Sequence, residues 1–347
     1  MEKKRHCPYI SYTAVFIVTV CVLMYGYPIS LGMRHAVETC IYTMIPSLYA
    51  MMICSTLFLS SGLHRIFSQI LNVPARLLFG CSGDILAVFL LSQAAGYPVG
   101  AKMLCSLMHD KQLTKKQASW LSGAAFGGGP AFLSALFAQN KKYATVVFLS
   151  CFISNILIFS VMTRFLHLKN SMPSGNIHNH INSSVIVNSV SESGTALLRI
   201  CAMVIMFGGL SGIAESLGLF SLLPENAEKI LLSITEISRI TELIPCRISF
   251  LPVAGALLSF GGICVIMQIA AVSEGNINIS CVLLIRILSS CITWLILTLF
   301  VKLSPIENTV EAAVIFSAPA DVQTGSPLPA LLLLLMTFIL LNTAKPL

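Results

Sequence analysis

Long apolar blocks separated by short polar links dominate the chain. Six of them are uninterrupted and approach or exceed the roughly 20 residues that a helix needs to cross a bilayer. They cover residues 10–30, 41–61, 145–165, 196–220, 281–301 and 328–341. Three further apolar regions, at 77–108, 120–138 and 250–272, are interrupted by glycine and proline. The pattern predicts an all-α, polytopic membrane protein.

The composition supports the same fold class. Only 10% of the 347 residues are charged, 56% are hydrophobic, and the mean hydropathy is +0.86. An ordinary soluble domain carries about 25% charged residues. A chain so poor in charge cannot cover a surface that faces water, but it can cover one that faces lipid, where charge is expensive.

The basic residues predict the orientation. Lys3, Lys4 and Arg5 precede the first apolar block, and Lys111 to Lys116 form a second basic segment. Because cytoplasmic flanks are rich in Lys and Arg, we expect both segments on the cytoplasmic side. No small-x-small cleavage site follows the first block, so it is interpreted as a retained anchor. The net charge of +7 is dispersed over short flanks, which does not indicate nucleic-acid binding.

A polar segment divides the membrane region into two similar halves. Residues 168–193 are rich in Ser and Asn and lack apolar periodicity, which is typical of a linker. The predicted organisation, in chain order, is an N-terminal anchor and link (1–40), a first repeat (41–167), the polar linker (168–194), a second repeat (195–302), and a polar loop with a C-terminal transmembrane helix (303–347).

Each half contains an apolar helix, a glycine-containing break and a second apolar helix. LLS at 90–92 leads into Gly96, and LLS at 257–259 leads into Gly261 and Gly262. Backbone that leaves a helix at membrane depth persists only where protein or water covers it. Paired breaks in the two halves of a chain point to a transporter binding site. For Gly123 and Gly127 close helix packing is an alternative interpretation, since their spacing is G-x-x-x-G.

Polar residues within apolar segments are functional candidates. Lys102 also has a structural alternative, in which its ammonium extends to the headgroups. Asp84 can cap a helix start, and Glu215 can face water at a helix end. The predicted substrate-binding residues are Gln93, Gly96, Tyr97, Pro98, Gly100, Lys102, Gly127, Gly128, Gly129, Pro130, Glu236, Gly261, Gly262 and Gln268.

The segment from Glu225 to Arg247 mixes charged and apolar residues. Ile230, Ile234 and Ile237 fall at helical spacing. The pattern favours an amphipathic helix on the membrane surface or beneath the second break. The alternative places Glu236 in the substrate site.

No pattern in the sequence indicates an enzyme. P-loop, G-x-S-x-G and H-E-x-x-H motifs are absent, and every histidine is predicted to lie in a flank or a loop. The twelve cysteines include no C-x-x-C pair, and most lie in apolar segments, where they act as small apolar side chains. We therefore expect no catalytic residues, no metal and no cofactor.

Four motifs resemble the bacterial sporulation integral membrane proteins of the YlbJ type, which carry the nucleoside-recognition (Gate) domain. They are IPSLYA at 45–50, GYPVGAK at 96–102, GGGPAF at 127–132 and FGGICVIMQ at 260–268. GYPVGAK is the most specific of them, and together they extend over roughly residues 40–302. The chain departs from the family pattern Leu-Leu-Glu-Ile/Met-Thr at 231–235, where it reads LLSIT and its acid, Glu236, comes three residues later.

The resemblance implies a fold related to the gate of nucleoside transporters, with two inverted repeats that each carry a re-entrant hairpin. The repeats at 41–167 and 195–302 would then be gate repeats. It also implies a multi-pass protein of the cell membrane with a role in endospore formation. The expected partners are the lipid bilayer, a small polar substrate such as a nucleoside or a cell-wall precursor, and other sporulation membrane proteins. A non-transporting scaffold for spore cortex or coat assembly is the alternative.

Overall fold

A computed structural model describes residues 23–303, apart from 138–139, 169–182, 220–222 and 244–247, together with residues 13, 16, 19 and 20. All regular elements in these ranges are helical. The α-helices are α1 (Gly26–Thr39), α2 (Ile45–Ser60), α3 (Leu63–Pro74), α4 (Gly83–Ala95), α5 (Val99–His109), α6 (Lys115–Ala124), α7 (Pro130–Leu136), α8 (Lys141–Phe165), α9 (Ser183–Ser216), α10 (Glu225–Thr235), α11 (Leu251–Phe260), α12 (Gly262–Val272) and α13 (Ile279–Leu303). One π-helical turn, Cys40–Met44, follows α1 and another, Ala75–Phe79, follows α3, while 3-10 turns at Ile237–Glu242 and Ile248–Phe250 lie between α10 and α11.

Four helical segments in the described residues are long and apolar enough to cross a membrane. They are Lys141–Phe165, Ser183–Ser216, Ile248–Val272 and Ile279–Leu303. A fifth span results if Ile66–Phe79 and Gly83–Ala95, which meet at an angle of 92°, are counted together. The predicted class of helical, multi-pass membrane protein is thereby confirmed. The predicted C-terminal helix at 328–341 lies outside the described residues, as do nine of the 21 residues of the anchor at 10–30.

Helix α8 shows how the protein is arranged relative to lipid. Leu149, Ile153, Leu157 and Val161 recur every four residues and form an exposed apolar stripe. The opposite face is buried and carries polar side chains, including Asn155. Because lipid tails accept apolar groups and exclude polar ones, this helix turns its polar face inward, as intramembrane polar residues generally do.

Interrupted helix pairs occur in the same order in both halves. In the first half, α4 and α5 flank a turn, α6 and α7 flank a break, and the 25-residue span α8 follows. In the second half, α10 and a 3-10 turn flank Glu236, α11 and α12 flank Gly261, and the 25-residue span α13 follows. This order pairs the turn at Gly96 with the break at Glu236, whereas the motif comparison pairs Gly96 with Gly262. Inversion of the two halves stays a prediction.

The polar linker is shorter than its sequence predicts. Helix α9 begins at Ser183, so the last part of the expected linker, 168–194, is helical. Two of its polar side chains, Ser189 and Ser193, are buried, and Ser193 shares a hydrogen bond with Thr56 of α2. Hydroxyl pairs of this kind join helices in membranes, and for that reason a Ser-rich segment need not be a loop.

Helix α1 packs against α9 through glycine. A Cβ atom on Gly208 would lie 2.7 Å from the carbonyl oxygen of Gly32, and one on Gly212 would lie 2.3 Å from the carbonyl oxygen of Pro28. Such close backbone approach is typical of small-residue helix interfaces in membranes. The contact fixes α1 beside the core and sets the position of His35, one turn before the end of that helix.

Candidate functional site

The first helix break is a glycine turn. Helix α4 ends at Ala95, and Gly96 has a φ of +83°, a conformation that residues with a Cβ rarely adopt. The backbone N–H of Val99 donates to the Gly96 carbonyl and starts α5. Pro98 stands directly before that helix, after a cis Tyr97–Pro98 peptide bond. Gly96, Tyr97 and Pro98 therefore form the turn between the two helices, while Gly100, which was expected in the turn, lies in α5.

The second break covers the first. Helix α6 ends at Ala124, and helix α7 begins at Pro130. A Cβ atom on Gly96 would lie 3.2 Å from the backbone nitrogen of Gly129, and one on Gly129 would lie 2.8 Å from the carbonyl oxygen of Ala94. The two glycine breaks of the first half therefore pack directly on each other.

The third break joins the second half of the chain to the first hairpin. Gly261 separates α11 from α12 with a φ of +85°. A Cβ atom there would lie 2.5 Å from the ring of Phe126 and 3.5 Å from that of Tyr97. The hydroxyl of Tyr97 also donates to the carbonyl of Leu258, in the last turn of α11. The turn at Gly96 and the break at Gly261 thus lie next to each other.

The fourth break corrects the interpretation of 225–247. The expected continuous amphipathic helix ends at Thr235, and Glu236 has extended backbone angles before a 3-10 turn begins. The Glu236 side chain is only 5% exposed. Gly262 packs on this break, since its Cβ position lies 3.2 Å from the backbone nitrogen of Ile237. A buried acid at a helix break favours the substrate-site interpretation over the surface helix.

A pocket lies where these breaks converge. It holds about 880 Å³ of space without protein atoms, its mouth included. Its walls come from α1, the following π-turn, α2, α7, α9, α12 and the first, second and fourth breaks, while the third break packs behind Tyr97. The described lining residues are His35, Thr39, Met44, Leu48, Gly96, Tyr97, Gly129, Phe132, Leu136, Val204, Glu236, Ile237, Cys264, Val265 and Gln268.

The pocket is apolar with a few convergent polar groups. Glu236 and Gln268 are both buried, and the Gln268 side-chain amide lies 3.4 Å from the sulfur of Cys264. His35 and Thr39 contribute from α1. Small-molecule sites generally combine mostly apolar walls with a small number of polar groups that fix the ligand's orientation.

The structure brings five of the predicted site residues to the pocket and places the others behind or beside it. Gly96, Tyr97, Gly129, Glu236 and Gln268 line the pocket. Of the remaining nine, Gln93 and Gly127 contact the polar network behind the pocket, and Gly128 lies against the Tyr97 hydroxyl. Pro98 and Pro130 stand at helix starts, Gly100 packs on the second break, and Gly261 and Gly262 form the third. Lys102 faces α2 and α9.

Lys102 is engaged outside the pocket. Its ammonium donates to the hydroxyl of Thr56 at 3.1 Å and lies 3.7 Å from a carboxylate oxygen of Glu192. Glu192 is well exposed, so this pair joins α5 to α9 near solvent. The substrate interpretation does not describe this arrangement, and the headgroup interpretation stays a prediction.

A Lys102→Met variant should therefore keep a normal pocket. The lost pair is partly exposed, and we expect it to cost no more than about 1 kcal/mol of stability. The rate at which N-ethylmaleimide labels Cys264, which lines the pocket, should stay within about twofold of wild type, because local opening there does not depend on this pair. A much faster or slower rate would mean that Lys102 shapes the site after all.

A second polar centre lies behind the pocket wall, around Arg286 of α13. This side chain is fully buried. Its guanidinium donates to the carbonyls of Gly123 and Phe126 at 2.8 and 3.1 Å, to the Asn155 Oδ1 at 3.1 and 3.2 Å, and to the Ser259 hydroxyl at 3.1 Å. It also stacks over the Phe126 ring, 4.6 Å from its centroid.

Asn155 connects this centre to the first hairpin. Its side-chain NH2 donates to the Gln93 Oε1 at 2.8 Å and to the Phe126 carbonyl at 2.7 Å, while its oxygen accepts from Arg286 and from the Ser289 hydroxyl. Gln93 in turn donates to the Ala124 carbonyl at the end of α6. Gln93 therefore holds the breaks together rather than lining the pocket.

Sequence reasoning missed three of these residues. Arg286 and Asn155 lie inside apolar spans, where a single polar residue is itself a functional signal. His35 was expected in a flank or a loop, but it lies in α1 and lines the pocket. The helix that contains His35 begins inside the first apolar block and continues nine residues beyond its end at residue 30. The histidine therefore lies outside the predicted span although it lies inside the observed helix.

No family model, no curated protein and no solved structure matches this sequence. The geometry of the breaks, the pocket and the polar centre therefore carries the functional argument.

Proposed function

We propose that this protein is a transporter-like membrane protein that binds a small polar molecule in the pocket between its helix breaks and moves it across the bilayer. The convergence of three helix breaks on one pocket, with a fourth packed behind its wall, supports this most directly. Broken helices aim backbone N–H and C=O groups at a common point, an arrangement that secondary transporters use to bind substrate near the membrane midplane. Glu236 and Gln268 add two side chains able to hydrogen-bond a polar ligand.

The repeated order of elements supports a duplicated, gate-like architecture. Two interrupted helix pairs followed by a 25-residue span occur in each half. Internal repeats of this kind, with the site at their interface, are common in transporters. Together with the resemblance to sporulation membrane proteins, the architecture leads us to propose a role in endospore formation at the cell membrane. A nucleoside or a cell-wall precursor would be the transported metabolite, and other sporulation membrane proteins would be its partners.

A non-transporting scaffold is the second candidate, and the buried polar centre favours it. Arg286, Asn155 and Gln93 fill the space behind the pocket with hydrogen bonds, so the two halves are tied together there. A scaffold needs such rigidity, whereas a transporter must let its halves move. The two candidates differ in whether purified protein moves any solute.

The experiment is uptake and binding by purified protein in liposomes, with a panel of nucleosides and soluble cell-wall precursors. Wild type should take up or bind at least one member of the panel. Gly96→Val should abolish this, because Gly96 has a positive φ and its Cβ would press on Gly129. Insertion into the membrane should persist, since the outer spans are unchanged.

Gly26→Val is the matched control, because a Cβ atom at Gly26 meets nothing within 4 Å. It should bind and transport like wild type. Binding without uptake by wild type would support the scaffold. A Gly96→Val protein that binds and transports normally would contradict the assignment of this pocket.

A further inference from the structure

Arg286 is a buried cation without an acidic partner in the described part of the chain. It lies in α13, a span of 25 residues whose exposed face is apolar. Its partners are backbone carbonyls and neutral side chains, and its Nε has no hydrogen-bond partner among the described residues. A charge at such a position is costly to bury, and intramembrane cations of this kind generally have a function.

The guanidinium binds the first half of the chain at its second break. The carbonyls of Gly123 and Phe126 lie where α6 ends, and the last carbonyls of a helix have no partner within it. These carbonyls also carry the negative end of the helix dipole, which favours a cation. Arg286 thus supplies the donors that the broken helix lacks and compensates part of its own charge in doing so.

The same guanidinium binds the second half at its third break. It donates to Ser259, two residues before Gly261. It also lies over the Phe126 ring, and Phe126 packs against Tyr97 with ring centroids 4.6 Å apart. Tyr97 lines the pocket and donates to the Leu258 carbonyl, so one continuous set of contacts runs from Arg286 to the pocket wall.

We propose that Arg286 is a positioning residue that holds the second and third helix breaks together and thereby keeps the pocket wall closed behind Tyr97. The planar guanidinium is required for this role, because its N–H groups donate to acceptors at both breaks at the same time. A lysine carries the same charge but is a point donor on a flexible stem and cannot satisfy acceptors in several directions with one geometry. This role concerns access to the pocket and holds whether or not the pocket carries a transported ligand.

Cys264 reports on this role in the full chain, because it lines the pocket while being only 1% exposed. Its rate of labelling by N-ethylmaleimide would be followed in liposomes by peptide-resolved mass spectrometry. Arg286→Gln and Arg286→Lys should each raise that rate by about tenfold or more, since both variants lose the fork that joins the breaks. Wild-type labelling in Arg286→Lys would show that charge alone suffices and would overturn the proposal.

Thr163→Val is the control for general destabilisation. Thr163 is fully buried and donates to the Phe79 carbonyl, but neither residue lines the pocket or belongs to the four breaks around it. Its Cys264 labelling should stay at the wild-type rate even where its thermal stability falls. Equal acceleration in Thr163→Val would show that loosened packing anywhere exposes Cys264, and the positioning role would then be wrong.

Ser259→Ala keeps the test decisive if the arginine variants do not fold. This change removes the Ser259 acceptor but leaves Arg286 bound to Asn155 and the two carbonyls. Cys264 labelling should rise by about threefold or more, because one of the links between the breaks is lost. An unchanged rate would overturn the proposal independently of any uptake result.

Discussion

A Gly100→Ala protein should unfold far below the wild-type temperature. A Cβ atom at Gly100 would lie 2.1 Å from the carbonyl oxygen of Ala125 and 2.7 Å from the Cβ of Ser92. Neither atom can rotate away, because one belongs to the backbone and the other is attached directly to it. The steric clash can be relieved only if α5 moves away from α4 and from the second break. Overpacking a tight contact in this way costs about 3 kcal/mol or more when backbone must shift.

The measurement is the midpoint of thermal unfolding in detergent, read as the fraction of monodisperse protein after heating. Gly194→Ala is the matched control, since its Cβ would meet only the Tyr49 hydroxyl at 3.9 Å. Alanine also has a higher helix propensity than glycine, so the control should be as stable as wild type or more stable. A Gly100→Ala midpoint equal to that of Gly194→Ala would mean that the hairpin does not pack on the second break as described.

The helix breaks were predictable because their signals are local. Glycine at a positive φ, or proline next to it, ends a helix wherever the chain is placed, and this holds for Gly96, Pro130 and Gly261. Apolar length likewise predicts a span without reference to any other part of the chain. For this reason the sequence predicts α8 and α13 within a few residues of the observed helices.

At Glu236 the local sequence pattern predicts a helix, but the structure has a helix break there. Periodicity across 225–247 favours one amphipathic helix, yet the backbone is extended at Glu236. The competing contact comes from Gly262, whose backbone packs against Ile237. Because these residues are 25 positions apart in the chain, only the assembled fold shows that the helix must end there.

Arg286 and Asn155 were not predictable as partners for the same reason. They lie 131 positions apart, and each lies within a mostly apolar span. Composition shows that such a residue must face protein, but it does not show which break it will bind. A search for isolated arginines inside apolar spans would have identified Arg286 as a candidate, though not its link to Phe126 and Tyr97.

An Asn155→Leu variant should lose most of the stability of this polar centre. Leucine is close to asparagine in size but offers no donor or acceptor. The change removes the acceptor of two Arg286 contacts and of the Ser289 hydroxyl, and it leaves the Gln93 and Phe126 oxygens without the donor from Asn155. A hydrogen bond to a charged group contributes about 1.5 to 3 kcal/mol, so losing the Asn155 acceptor should cost at least about that much, although Arg286 keeps its carbonyl partners and Ser259.

Two companion variants identify the cause of that loss. Ser150 lies on the same helix as Asn155, and its hydroxyl donates only to the Val146 carbonyl one turn earlier. The unfolding midpoint of Ser150→Ala should therefore stay near that of wild type. Asn155→Asp keeps an acceptor for Arg286 and should therefore be more stable than Asn155→Leu, although it loses the donors to Gln93 and Phe126. If Asn155→Leu unfolds at the same temperature as Ser150→Ala, Asn155 does not compensate the Arg286 charge. The carbonyls at the end of α6 must then be sufficient to hold this buried guanidinium.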